Sequence, residues 1–191
     1  DMPKNQLVRI VSAIPKFFHV LSFALALVPK IFNVRRYGAD AYSLKNLFWM
    51  EPWIGMEADL IHCHFGPMAI RYLRIKEVFG FDQPIITTFY GYDVSKVLKE
   101  NGPRVYDRLK EEATHFFVMS INMKERMSPF DIPPEKVDVL PISLDIEKIP
   151  FAEHPLREGE TIHMATVGRF VEKKGFDDLL RALVILKQRS P

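Results

Sequence analysis

Hydrophobic positions follow two regimes along this chain. Over the first 57 residues they recur at helical spacing, with Leu7, Ile10, Val11 and Ile14 at i, i+3, i+4 and i+7. A second apolar helix is expected after Pro15, and a third over about 39–55, broken near Pro52. From Ala58 the pattern changes to short apolar runs separated by helix-length segments. Strands are expected over 59–64, 84–89, 115–119 and 137–140. Helices are expected over 68–78, opened by Pro67 at a first-turn position, over 103–112, and over 120–128 with Ser120 as the cap. The strand segments are apolar runs rather than clean alternations, which predicts an α/β fold with a parallel sheet covered on both faces.

A polar stretch at 151–160, carrying Pro155 and Gly159, reads as a surface connection between a first domain (1–150) and a second (161–191). The second is expected to begin with a strand over 161–167, a loop over 168–175 and a helix over 176–189. Phe176, Leu179, Leu180 and Leu183 give that helix one apolar stripe. Asp177 and Asp178 in its first turn, and Lys187 and Arg189 in its last, suit the helix dipole. One strand and one helix cannot bury a core. The second domain is therefore expected to be truncated at Pro191, and the first to lack its opening strand.

Composition narrows the function classes. Hydrophobic residues make up 48% of the chain and charged residues 26%, enough for a packed core. The 26 basic and 24 acidic residues read as spread along the chain, without a block of like charge, which argues against a nucleic-acid surface. One cysteine, Cys63, excludes an internal disulfide framework and fits a reducing, cytoplasmic compartment. The greasiest stretch, 17–28, is too short to span a bilayer and lies between Pro15 and Pro29. It reads as a buried helix, with a helix lying flat on a membrane as the alternative.

The candidate chemistry gathers at strand ends. His64-Phe65-Gly66-Pro67 closes the first strand with a glycine turn into a helix, and Phe89-Tyr90-Gly91-Tyr92-Asp93 closes the second in the same way. Gly66 and Gly91 are suited to close backbone approach, and Tyr90 offers a phenol at its strand tip. Asp93 is a candidate cap or hydroxyl ligand, and Ser120 marks the third tip. His62 and His64, two apart on a strand, share a face. As a metal pair they lack a third ligand placed by the sequence, so no metal site is expected. Residues 168–175, Gly-Arg-Phe-Val-Glu-Lys-Lys-Gly, sit between a strand and a helix, where open α/β sheets bind ligands. Arg169 and Lys174 bracket that loop as a candidate pyrophosphate clamp, with Gly168 and Gly175 at its ends. A solvated turn with ordinary surface cations is the plain alternative.

Taken in order, these motifs resemble the retaining GT-B glycosyltransferases. The carriers are His62-Cys-His64-Phe-Gly66, Thr88-Phe-Tyr90-Gly91-Tyr-Asp93, Val118-Met-Ser120, Leu144-Asp145 and Val167-Gly168-Arg169 through Lys174-Gly175. Within that family the chain is similar to bacterial enzymes of exopolysaccharide assembly, colanic-acid type. The resemblance implies two Rossmann-like domains. A UDP- or GDP-sugar would be held mainly by the second, and a glycan or lipid-linked acceptor by the first. It assigns Gly168, Arg169, Lys174 and Gly175 to the donor diphosphate, so that no metal or other cofactor is required. It implies His64, Tyr90 and Asp93 as the catalytic candidates, with Phe65, Gly66, Gly91 and Ser120 lining the acceptor side. Lipid-linked acceptors, together with Lys16, Lys30, Arg35 and Arg36 near the greasy stretch, imply peripheral association with the inner face of the cell membrane.

Two departures qualify the resemblance. Tyr90 stands where many members carry histidine, and a phenol is a poor general base near neutral pH. Two glutamates that hold the donor would fall beyond Pro191, and a glycine loop before Asp1, so this stretch alone is expected to be inactive. A non-catalytic sugar or nucleotide binder on the same fold is the alternative that Tyr90 leaves open. A dinucleotide enzyme is disfavoured because no Gly-x-Gly-x-x-Gly turn follows any strand.

Overall fold

The computed structural model describes residues 2–189 apart from 154, 156 and 158. It divides into two compact units, Asp1–Leu144 and Asp145–Pro191. The polar stretch expected to connect domains falls within the second unit, and three of its residues lie outside those described.

The first unit is an α/β domain built on four parallel strands, β1 (Ile61–His64), β2 (Ile85–Phe89), β3 (His115–Val118) and β4 (Val137–Val139), adjacent in chain order. The helix Gly66–Phe79 joins β1 to β2 and packs on both. It opens with Pro67 in its first turn and stops at Gly80, whose φ of 74° gives the left-handed cap. Between β2 and β3 the chain is helical for longer than its pattern predicts. A π-helical turn, Asp93–Val97, runs into Leu98–Asn101, and a 3₁₀ turn precedes the helix Asp107–Glu112. Ser120 caps the helix Ile121–Glu125, its Oγ accepting from the Met123 N–H at 3.2 Å.

One sheet face is the core. Cys63, Ile85, Thr87, Phe89, Phe116, Val118 and Val137 point into it and are buried. Phe89 anchors that layer, stacked on Phe116 at 5.5 Å and tilted against Tyr106 at 5.0 Å. The opposite face carries His62, His64, Ile86, Thr88, His115, Phe117 and Asp138, and among the described residues it is not covered as the core face is: His62, His64 and Asp138 are exposed. The expectation of a sheet covered on both faces is thus met on one. Polar side chains satisfy much of the open face, through His62 Nε2 to Thr88 Oγ1 at 2.7 Å and His115 Nε2 to Asp138 Oδ2 at 3.0 Å.

The amino-terminal region departs from its predicted breaks. One helix, Gln6–Phe23, runs through Pro15, capped by Asn5 Oδ1, which accepts from the Leu7 and Val8 N–H groups. Proline there removes a single i→i−4 bond; Ala13 and Val20, which are buried, hold the flanking turns in place. The 17–28 stretch is only partly buried, since Phe18, Phe23 and Leu25 are 63%, 55% and 69% exposed. The segment expected as one helix over 39–55 is broken into Ala39–Tyr42, Lys45–Met50 and a 3₁₀ turn at Glu51–Trp53.

In the second unit the helix forms, over Phe176–Arg189, but the strand expected over 161–167 does not. Residues 161–169 have no regular structure and are exposed throughout, Val167 completely. The physical reason is direct: a strand is stabilised by ladder bonds and cross-strand contacts, and this unit supplies no neighbouring strand among the described residues.

Candidate functional site

The two glycine turns of the first unit come together at the carboxyl ends of β1 and β2. Parallel register pairs His64 with Thr88, so the residues just beyond each strand emerge side by side. His64 Nδ1 lies 2.7 Å from Tyr90 Oη, and the two rings stack with centroids 6.0 Å apart. Phe65 closes over the phenol at 4.6 Å, and His62 stands behind His64 at 4.4 Å. Partial desolvation of the ring against the sheet, although the residue is exposed overall, and the neighbouring His64 both hold the His62 imidazole below its ordinary pKa, favouring its neutral form.

Asp93 ties the two turns to each other. Oδ1 accepts from the Gly66 N–H and Oδ2 from the Tyr90 N–H, both at 2.7 Å, and the residue is fully buried. Burial pushes its carboxyl above the usual carboxylate range, opposed by these N–H donors. With both oxygens engaged and no exposure, Asp93 is a positioning residue beneath the site, not a group open to a ligand. The ring of Tyr106 lies under the same turn. A Cβ on Gly66 would fall 2.4 Å from Tyr106 and 2.6 Å from Phe89, so only glycine fits. Phe65 adopts φ 74°, a left-handed conformation unusual for a large side chain, and its aromatic ring is thereby presented beside Tyr90.

Gly91 differs from Gly66. It is exposed, its φ is not in the left-handed region, and a Cβ would meet nothing within 4 Å. The fold does not require glycine there, and the open space beside Tyr90 is room for a bound group. Ser120 serves as the helix cap at the β3 tip. Among the described residues no group of three or more His, Cys, Asp or Glu gathers around the His62–His64 pair or elsewhere. The roles of Tyr106, Thr88 and the left-handed Phe65 were not anticipated. Nothing in their local pattern announces them, although an aspartate three residues after Tyr90 is a turn-forming signal.

The second unit presents its loop differently. Glu172–Lys174 form a 3₁₀ turn and Gly175 takes φ 66° to enter the helix. Phe176 stacks on Phe170 at 4.8 Å and lies 3.4 Å from where a Cβ on Gly168 would be. Arg169 and Lys174 are exposed. A hollow of about 500 Å³ beside the helix start is lined by Phe170, Glu172, Asp177, Asp178 and Arg181, among others, and neither Arg169 nor Lys174 borders it.

Four parallel strands with paired, polar-tipped turns at their carboxyl ends define the class of open α/β proteins that bind ligands at that edge. The chain belongs to Glycosyltransferase Family 4, whose family model matches residues 10–148. It is 27% identical over 162 residues to the Escherichia coli (strain K12) protein WcaL, named as a glycosyltransferase of colanic acid biosynthesis, covering 83% of this chain and 39% of that protein. It is 26% identical over 171 residues to the amylovoran biosynthesis glycosyltransferase AmsK of Erwinia amylovora, covering 84% and 40%. The uncharacterized glycosyltransferase YqgM of Bacillus subtilis (strain 168) is 32% identical over 144 residues, covering 70% and 37%. The chain thus spans about 40% of the length of the curated relatives it matches. No solved structure matches it.

Proposed function

We propose that this chain carries the acceptor-side site, and the start of the donor side, of a nucleotide-sugar-dependent glycosyltransferase of cell-surface polysaccharide assembly. The observation that carries the reading is the contact at 2.7 Å between His64 Nδ1 and Tyr90 Oη, on two turns tied together by Asp93. Family membership and relatives named for colanic acid and amylovoran biosynthesis support the same reading.

The chemistry follows from the proton arrangement. When the phenol donates to Nδ1, His64 Nε2 carries a proton and can donate to a sugar oxygen. When Nδ1 donates to the phenol, Nε2 is free to accept a proton from an acceptor hydroxyl. Tyr90 thus holds the imidazole's orientation in either tautomer, and an imidazole is better suited than a phenol to pass a proton to or from a sugar oxygen. Arg169 and Lys174 would neutralise the diphosphate leaving group, a role for which two cations suffice without a metal. Transfer with retention, by front-face attack within an ion-pair-like state, is the stereochemical course the family resemblance implies.

In the full-length protein, His64→Ala is expected to lower sugar transfer by about 10²–10⁴-fold. Tyr90→Phe should cost far less, because the imidazole remains. Transfer by His64→Ala at the wild-type rate would remove His64 from the mechanism. A non-catalytic binder on this fold is the second reading, favoured by the phenol that engages His64 where many members carry histidine. Transfer or donor hydrolysis with any member of a panel of UDP- and GDP-sugars would exclude it.

A further inference from the structure

Beside His64 the first unit holds a cavity that the contact with Tyr90 leaves unexplained. It measures about 520 Å³, within the usual range for small-molecule sites, and both His62 and His64 border it. Its walls come from three stretches of chain: Trp49 on the helix Lys45–Met50, Trp53 on the 3₁₀ turn that follows, and Arg71 and Tyr72 on the helix Gly66–Phe79. Tyr72 is buried, and its ring lies 4.9 Å from that of Trp53, which fixes the indole in place. Both tryptophans are only partly buried.

Arg71 is the feature that asks for a ligand. Its guanidinium carbon lies 4.2 Å from the centroid of the Trp49 ring. Stacking engages the face of a guanidinium and leaves its N–H edge free. Among the described residues that edge forms no hydrogen bond and no ion pair, although Arg71 is half-buried. Arg74, three positions on along the same helix, pairs with Asp40 at 2.9 Å. Among the described residues the cavity lining contains no aspartate or glutamate, and Arg71 is its one side chain of permanent charge. A half-buried cation without an acceptor is costly, and an anion brought in by a ligand would satisfy it. Shape and charge together select that ligand. The C–H faces of a pyranose ring pack on indole, as other apolar surfaces do. A diphosphate calls for several cations, whereas one planar guanidinium fork matches one carboxylate.

We infer that this cavity takes an acidic sugar residue of the acceptor, a hexuronate, with its ring among the indoles and its carboxylate on Arg71. The inference rests on the acceptor-side reading above and adds the charge of the substrate, with Arg71 as a specificity-determining residue. The chain has two tryptophans, both on this cavity, so its own fluorescence reports occupancy. The full chain is titrated, without donor, with glucuronate, glucose and glucose 1-phosphate, and calorimetry repeats the series. Glucuronate is expected to bind about tenfold more tightly than glucose, and more tightly than glucose 1-phosphate. Arg71→Met should bring glucuronate to within about twofold of glucose at an unchanged melting temperature, and Arg71→Lys should keep part of the preference. Equal affinity for glucuronate and glucose, binding of neither, or an undiminished preference in Arg71→Met would overturn the inference. Tighter binding of glucose 1-phosphate would overturn it in favour of a phosphate. Glucuronate binding by a full-length protein that transfers no sugar would uphold the site and remove the transferase reading instead.

Discussion

The glycine turns of the first unit and the glycine loop of the second are alike on paper and unlike in space. Each was read as a strand, a glycine-bearing turn and a helix. In the first unit the turns after β1 and β2 rest on a buried layer of Phe89, Tyr106 and Phe116, and Asp93 fixes both backbones. In the second the loop 168–175 has no sheet beneath it among the described residues, and its cations are exposed. The difference lies in what supports each motif. A turn becomes a preorganised site only when buried neighbours determine its backbone, and a cationic loop without them keeps its chemistry but not its geometry.

Breaking the supported turns should therefore cost stability, and altering the unsupported loop should not. The largest effect is expected for Asp93→Ala, which removes the acceptor of the buried Gly66 N–H and of the partly buried Tyr90 N–H and should destabilise the first unit by about 3 kcal/mol in urea denaturation. An unchanged midpoint would show that the turns do not need the carboxylate. Alkali probes the same core. Burial pushes the Cys63 thiol up to about 11 from an ordinary value near 9. Its stabilising contribution is complete below pH 9 and is lost as pH rises through about 11, a loss of about 2.5 kcal/mol at most. Comparing urea midpoints at pH 8 and 10.5, wild type should lose more than Cys63→Ala; equal losses would contradict the burial.

Glycine substitutions sharpen the contrast further. Gly66→Ala drives a methyl into Tyr106 and should cost about 2 kcal/mol. Gly91→Ala, where nothing lies within 4 Å, should stay within about 0.5 kcal/mol while encroaching on the space beside Tyr90. Smallest of all, Arg169→Ala and Lys174→Ala should leave thermal unfolding unchanged within about 0.5 kcal/mol. A large loss from either would mean that the loop is supported after all.

Much of the first unit was legible because its signals are local. Apolar runs ending at Gly66 and Gly91 marked β1 and β2 to within two residues, and Ser120 marked its cap. His64 and Tyr90 were legible as strand-tip residues, but their contact was not, since it depends on the β1–β2 register. The aspartate was legible as a turn residue. That it spans two turns 27 positions apart in the chain was invisible to any local pattern. The strand over 161–167 was overread, because β-like composition gives a segment the capacity to pair without supplying the partner. The 17–28 stretch reads as a buried helix for the converse reason, and Phe18, Phe23 and Leu25 are exposed: an apolar run marks what could be covered but not what covers it.

The central claim is that Arg169 and Lys174 serve the diphosphate of a nucleotide sugar. Its most direct test is steady-state sugar transfer by the full-length protein and by Arg169→Ala and Lys174→Ala, at matched melting temperatures. The account predicts that each variant loses about 10²–10³-fold in kcat/KM. Transfer by both within a few-fold of wild type would contradict it.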